Sequence, residues 1–237
     1  MDKTLFVFGC SYTEDYQTAK YIEDYEKYRI WKGGIYPDSW SKILADKLGY
    51  KLCNYGLASS GNQRIFRIFC EHIDEYKKGD MIILQWSYMH RYDWVNLTTN
   101  QFYTLGAGKV TEANFLLQST HDDIILNRTT KPYYDEIISY MNLINCYSES
   151  KGIDLFFWSG DYDFIYGNED ILNKFKSKII LGDKLKRGQQ PFNLVYNMGG
   201  QTIFQETNDE ISDGHLAESG HKIMAELFYN HIKQNEK

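Results

Sequence analysis

Three residues in this chain have the types needed for acyl transfer through a covalent intermediate: Ser11, Asp213 and His215. A serine hydroxyl is a weak nucleophile until a base takes its proton, and that base is usually a histidine oriented by a carboxylate. Asp213-Gly214-His215 offers both partners on one short loop, and Gly214 makes a tight turn easy there. The small residues of Gly56-Leu57-Ala58-Ser59-Ser60-Gly61 would let backbone N–H groups approach a substrate carbonyl. Such donors stabilise the oxyanion of a tetrahedral intermediate by about 3–4 kcal/mol each. Each feature also has an ordinary reading. Ser11 suits a turn after a strand, Asp213 suits a helix cap, and a histidine on a loop is often only solvated. His221 is close to His215 in sequence, but its place in the first turn of a helix favours a structural role.

These residues need a scaffold that brings them together, and the apolar pattern describes one. Leu5–Phe8, Lys51–Tyr55, Met81–Trp86 and Ile153–Trp158 read as strands, with a further short strand around 178–181. Between them, apolar residues recur at helical spacing. Asp38 or Ser39 caps a helix through Leu48 that Gly49 stops, and Asn62 caps another carrying Ile65, Ile68, Phe69 and Ile73. Helices are also expected over 132–150, 169–177 and 218–233. Alternating strands and helices predict an α/β fold with a parallel sheet and helices on both faces. In such sheets, ligands bind outside the carboxyl ends of the strands. Gly9–Thr13, Gly56–Asn62, Ser87–Arg91 and Ser212–His215 should therefore converge on one crevice. The chain reads as one domain, 1–237, with excursions at about 12–36, 87–131 and 159–212.

The order of these pieces resembles the SGNH/GDSL hydrolases. Gly9-Cys10-Ser11-Tyr12-Thr13 is similar to their first block. Asn54-Tyr55-Gly56 followed by Ser59-Ser60-Gly61-Asn62-Gln63-Arg64-Ile65 is similar to the second. Asp213-Gly214-His215-Leu216 followed by Ser219-Gly220-His221 is similar to the last. The resemblance implies a three-layer α/β/α sandwich around a flavodoxin-like parallel sheet of about five strands. It also implies Ser11 as nucleophile, His215 as base and Asp213 as the orienting carboxylate. The oxyanion hole would be built from the Ser11 N–H and a backbone N–H near Ser59 to Gly61. The chain departs from the family in three places. Cys10 replaces the usual Asp, and one residue rather than two separates Asp213 from His215. The third strand runs on as Gln85-Trp86-Ser87-Tyr88, with no Asn after a Gly-Gly pair. Asn62, Gln85 and Ser87 are the candidates to replace that Asn.

Arg64 and Arg91 are candidates to clamp an anionic substrate group, Arg64 the better placed. Gln85, Trp86 and Ser87 would line the substrate site. Trp86, Tyr88, Tyr92 and Trp94 suit either stacking on a sugar or packing in a core or lid. Asp161-Tyr162-Asp163 matches a metal–nucleotide pattern, although a loop with two acids is the simpler reading. Successive residues of an extended segment point opposite ways, so Cys10 should be buried where Ser11 faces the crevice.

Composition narrows the function. With 26 basic and 32 acidic residues the net charge is −6, which argues against a nucleic-acid or anionic-membrane partner. The four cysteines form no CxxC pair and read as reduced thiols, not a zinc site or disulfide framework. No apolar run is long enough to span a membrane. Ser11 directly follows the first strand, ten residues after Met1, which leaves no place for a cleavable leader and predicts a cytoplasmic protein. The leading expectation is hydrolysis of a small acyl ester, on a glycan or metabolite, with no metal or cofactor. An acyltransferase of the same fold, a non-catalytic binding module and a glycosyltransferase using Asp161 and Asp163 are the alternatives.

Overall fold

A computed structural model describes residues 3–19, 21–89, 91–96, 101–105, 131–161, 164–186 and 188–235. Four strands form a parallel sheet: β1 (Thr4–Phe8), β2 (Lys51–Asn54), β3 (Met81–Trp86) and β6 (Asp154–Ser159), in the order β2-β1-β3-β6. β1 pairs with β2 from Thr4↔Lys51 to Val7↔Asn54, and with β3 from Leu5↔Met81 to Phe8↔Leu84. β3 is buried along its whole length, as a strand covered on both faces must be. The expected fifth strand at 178–181 is reduced to a single parallel bridge, Phe157↔Ile179, because the chain turns away on either side of it.

Helices cover both faces. On one, α2 (Trp40–Leu48) packs on α8 (Glu218–Asn235), with Trp40 and Phe228 rings 5.0 Å apart and both edge-on to Trp158 of β6. On the other, α3 (Asn62–Glu71) packs on α4 (Lys131–Lys151) through stacked Phe66 and Tyr140, while Phe69 meets Phe8 of β1. The fold is therefore a three-layer α/β/α sandwich. Gly49 closes α2 in the left-handed conformation at φ 70°, where glycine carries no steric cost. Ser39 is the N-cap residue of α2, but its hydroxyl bonds to the Asp15 carboxylate and the Ser41 hydroxyl rather than to the helix backbone. Gly61, not Asn62, caps α3, and Asn62 is drawn inward as its first residue.

The excursions hold structure that the apolar pattern does not announce. Residues 12–36 contain α1 (Glu23–Trp31), which buries Tyr25 and Tyr28 against Tyr16 in a small second core with Ile203, Ile211 and Ala217. In the 87–131 excursion two further strands, β4 (Tyr92–Asn96) and β5 (Gln101–Leu105), pair antiparallel. His90, residues 97–100 and 106–130 of that excursion lie outside the described residues, as do Tyr162 and Asp163. Residues 159–212 contain α5 (Glu169–Lys174), α6 (Pro191–Asn197) and α7 (Ile203–Glu206). No helix among the described residues is long and apolar enough to cross a membrane.

Candidate active site

The parallel sheet delivers the sequence pieces to one end, and their side chains meet. Ser11 sits in a turn directly after β1, closed by Thr13 and Glu14 N–H groups donating to the Cys10 carbonyl at 2.8 and 3.0 Å. Its hydroxyl lies 2.8 Å from His215 Nε2. His215 Nδ1 lies 2.6 Å from Asp213 Oδ1, which also accepts the His215 backbone N–H at 2.7 Å. An ionised carboxylate only accepts, so Nδ1 carries the proton and Nε2 is left to accept the Ser11 O–H. Burial alone would push Asp213 up, but the hydrogen bonds and charge of His215 hold its carboxyl below the usual range.

The loop bearing Asp213 and His215 is fixed by α7. Ile203 N–H donates to the His215 carbonyl and Phe204 N–H to the Asp213 carbonyl, each at 2.9 Å. A capping box of Thr202 and Gln205 starts this short helix. Gly214 has neither a positive φ nor any neighbour within 4 Å of a built Cβ. The turn therefore depends on the Asp213 side chain bonding two residues ahead, not on glycine. Next along the chain, Leu216 accepts the Tyr16 hydroxyl through its carbonyl, and Tyr16 meets His221 Nε2 at 3.1 Å. His221 Nδ1 accepts the Trp40 N–H at 3.1 Å. Burial, with the charge of His215 second, takes His221 down to about 3. It is a neutral, structural histidine.

Two strand ends and the start of α2 grip the Ser11 turn. Gln85 accepts the Cys10 N–H and the Thr13 hydroxyl, and Asn54 donates to the Thr13 carbonyl at 2.7 Å. Trp40 Nε1 donates to the Tyr12 carbonyl at 2.7 Å. Cys10 is fully buried and Ser11 is 8% exposed. Aromatic rings surround the imidazole: Tyr12 at 4.9 Å and Tyr25, edge-on, at 5.6 Å. Burial holds both phenols well above their usual range, so they stay neutral.

Backbone donors lie on the adjoining segment. Gly56 N–H bonds to Asn54, Leu57 N–H to Gly9, Ala58 N–H to Glu14 and Ser60 N–H to Leu57. Within 56–61, the Ser59 and Gly61 N–H groups are the ones left without a hydrogen bond among the described residues, and the Ser11 N–H is in the same position. Ser59 is held at φ 63°, a left-handed conformation of the kind that makes anion-binding concavities. Asn62, by contrast, is fully buried. Its oxygen accepts the Ser87 N–H at 2.7 Å and its nitrogen faces the Ser87 carbonyl at 3.3 Å, so it is not free to meet an oxyanion.

The residues expected to line the substrate site divide. Gln85, Trp86 and Ser87 are fully buried. Gln85 is occupied with Cys10 and Thr13, Trp86 packs in the core toward Phe157, and Ser87 accepts from Arg91 at 3.0 Å. All three are enclosed, Gln85 and Trp86 because β3 is buried along its whole length and Ser87 in the loop just after it. Arg91 is half-buried over the Tyr88 ring. Arg64 is half-buried, donates to Ser60 Oγ at 2.8 Å and has Glu14 and Asp93 nearby. Burial lowers its guanidinium from the ordinary value. The side chains of Tyr92 and Trp94 lie outside the described residues. Asp161 accepts the Met89 N–H at 3.0 Å, closing the loop after β3. Among the described residues no group of three or more His, Cys, Asp or Glu gathers as a metal ion would need. Glu14 was not singled out from sequence, yet it is buried beside the site. A carboxylate three residues past the serine was the available signal.

No protein-family model and no curated protein matches the sequence. Solved structures are similar. The YXIM protein of Bacillus subtilis gives a TM-score of 0.45 at 12% identity over 99% of this chain, which spans 57% of that protein's length. A member of the lipolytic protein G-D-S-L family from Veillonella parvula gives a TM-score of 0.42 at 14% identity over 95% of both chains.

Proposed function

We propose that the chain is a divergent SGNH/GDSL hydrolase that cleaves a small acyl ester through an acyl-enzyme on Ser11. The observation that carries this reading is the relay from Ser11 Oγ to His215 Nε2 at 2.8 Å and from His215 Nδ1 to Asp213 at 2.6 Å. His215 takes the Ser11 proton as Oγ bonds to the ester carbonyl carbon. Asp213 stabilises the imidazolium that forms. The carbonyl oxygen becomes an oxyanion, facing N–H groups of Ser11 and of Ser59 or Gly61. His215 then gives its proton to the departing alkoxide, and the acyl group stays on Ser11. Water, activated by the same histidine, releases the acid.

An alcohol in place of water would make the same site an acyltransferase. Arg64 and Arg91 are the cations proposed to meet a charged group of the substrate, a small metabolite or glycan ester. Free thiols at Cys53, Cys70 and Cys146 suit a reducing compartment such as the cytoplasm.

The test is labelling with a fluorophosphonate. The wild type should be labelled and Ser11→Ala should not. Equal labelling of both would displace Ser11 as nucleophile. No labelling of either would favour a binding module that keeps the fold without the chemistry. Ester turnover far slower in water than with added alcohol would favour acyl transfer.

A further inference from the structure

Glu14 is 4% exposed, three residues after Ser11, and its backbone N–H helps close the Ser11 turn by donating to Cys10. Its side chain leaves that turn and reaches the neighbouring segment. Oε2 accepts the Ala58 N–H at 2.7 Å, and the two oxygens take the Tyr21 hydroxyl at 2.7 and 2.9 Å. The contact is close along the backbone as well. A Cβ on Gly56 would stand 2.6 Å from the Glu14 nitrogen, so a side chain there would push the two segments apart. Burial raises the Glu14 carboxyl above its ordinary value, offset in part by the Tyr21 hydroxyl, the Ala58 N–H and the charges of Arg64 and His215.

We propose that Glu14 is a positioning residue for the oxyanion donors: its carboxylate locks the Ala58–Gly61 turn to the turn that carries Ser11. The proposal rests on the hydrolase reading for its catalytic consequence. An oxyanion hole built from two chain segments works only if their N–H groups keep a fixed separation, since donors must stand about 2.7–3.1 Å from the developing oxygen. By taking the Ala58 N–H, Glu14 leaves the next donors, Ser59 and Gly61, as those able to meet it. Tyr21, on the 12–36 excursion and 62% exposed, closes the lock from outside.

The experiment is amide hydrogen exchange at Ala58–Gly61 together with kcat and KM for a p-nitrophenyl ester. Glu14→Ala should speed exchange at these amides and lower kcat roughly 10–100-fold with KM within about twofold. Glu14→Gln keeps an oxygen for the Ala58 N–H and an amide that can donate to Tyr21, so it should restore both readouts. Tyr21→Phe removes one hydroxyl at an exposed position. It should give a milder change of the same kind, and it serves if Glu14→Ala fails to fold. Unchanged exchange in Glu14→Ala and Tyr21→Phe would overturn the lock. Faster exchange with wild-type kcat would overturn its role in positioning, as would a Glu14→Gln as slow as Glu14→Ala. A wild type without Ser11-dependent turnover would count against the hydrolase reading, and the exchange data would still decide the lock.

Discussion

Gln85 holds Cys10 from two sides, taking its backbone N–H at 3.2 Å and placing the side-chain nitrogen 3.1 Å from its sulfur. With Cys10 buried against β3, the turn after it brings the next side chain, Ser11, to His215 instead. The thiol beside the proposed nucleophile is thus part of the floor on which that nucleophile stands.

This relationship separates two nucleophile assignments. Cys10→Ala should keep fluorophosphonate labelling and most ester turnover, at a stability cost of about 1–2 kcal/mol for the lost packing and sulfur contact. Ser11→Ala should lose both readouts. Labelling and denaturant melts of the two variants check this. A dead Cys10→Ala that remains folded, beside an active Ser11→Ala, would make the thiol the nucleophile.

Two glycines near the site should behave oppositely. A Cβ on Gly9 would stand 2.5 Å from Thr13 Oγ1 and 2.6 Å from Gln85 Oε1, the atoms that hold the Ser11 turn. Gly9→Ala should therefore cost about 1–3 kcal/mol by overpacking and displace Ser11, with a large fall in kcat. Gly214 has open space and an ordinary φ. Gly214→Ala should leave activity near wild type and change stability by no more than about 1 kcal/mol, in either direction. Denaturant melts and steady-state kinetics of the pair make the comparison.

The contrast also shows what the sequence could convey. Gly214 was expected to enable the turn before His215, but an aspartate bonding two residues ahead builds that turn unaided. Strands β1, β3 and β6 were legible because each is a mostly apolar run, and α8 because its buried residues recur at helical spacing. The convergence of Ser11 with Asp213 and His215 followed from where those runs end. The helix α1 was not legible, since its buried residues are tyrosines among acids and lysines. Gln85, Ser87 and Asn62 show where sequence reading stops. A polar residue at a strand or helix end suggests a ligand contact, and only the tertiary structure shows that its hydrogen bonds are already made. In hindsight Gln85, polar within the run Met81–Trp86, was the mark of a buried anchor.

His221 gives a pH signature. Burial holds it to about 3 when folded, whereas an unfolded histidine titrates near about 6.5. Between those values the unfolded state binds the extra proton, so stability rises with pH across the window and is lost as pH falls through it. The slope from this residue should approach about 1.4 kcal/mol per pH unit. His221→Gln removes the titrating group while keeping a donor toward Tyr16. It should be less stable at neutral pH yet lose stability less steeply from about pH 6 to 4. Urea melts across that range test this, and an unchanged slope would mean His221 is accessible to protons in the folded protein.

The last prediction concerns the acyl group, and it follows from what fills the space beneath Ser11. Among the described residues Gly9, Cys10 and Gln85 form the floor, and a Cβ on Gly160 would stand 3.4 Å from the Gln85 amide nitrogen. To one side Tyr12 stands over His215 and against Phe192, their rings 4.4 Å apart, with Tyr88 and Tyr196 beside it. Tyr25 blocks the far edge of the imidazole. On the proposed reading, an acyl chain with its carbonyl at Ser11 would meet the Tyr12 and Tyr25 rings beside His215. Across a p-nitrophenyl series from acetyl to octanoyl, kcat/KM should be highest for the shortest esters and fall as the chain lengthens. Tyr12→Ala should open that wall and raise the octanoyl rate relative to acetyl. A wild type that prefers octanoyl would mean a long groove exists at the Ser11 end of the sheet, and the small-acyl assignment would have to be abandoned.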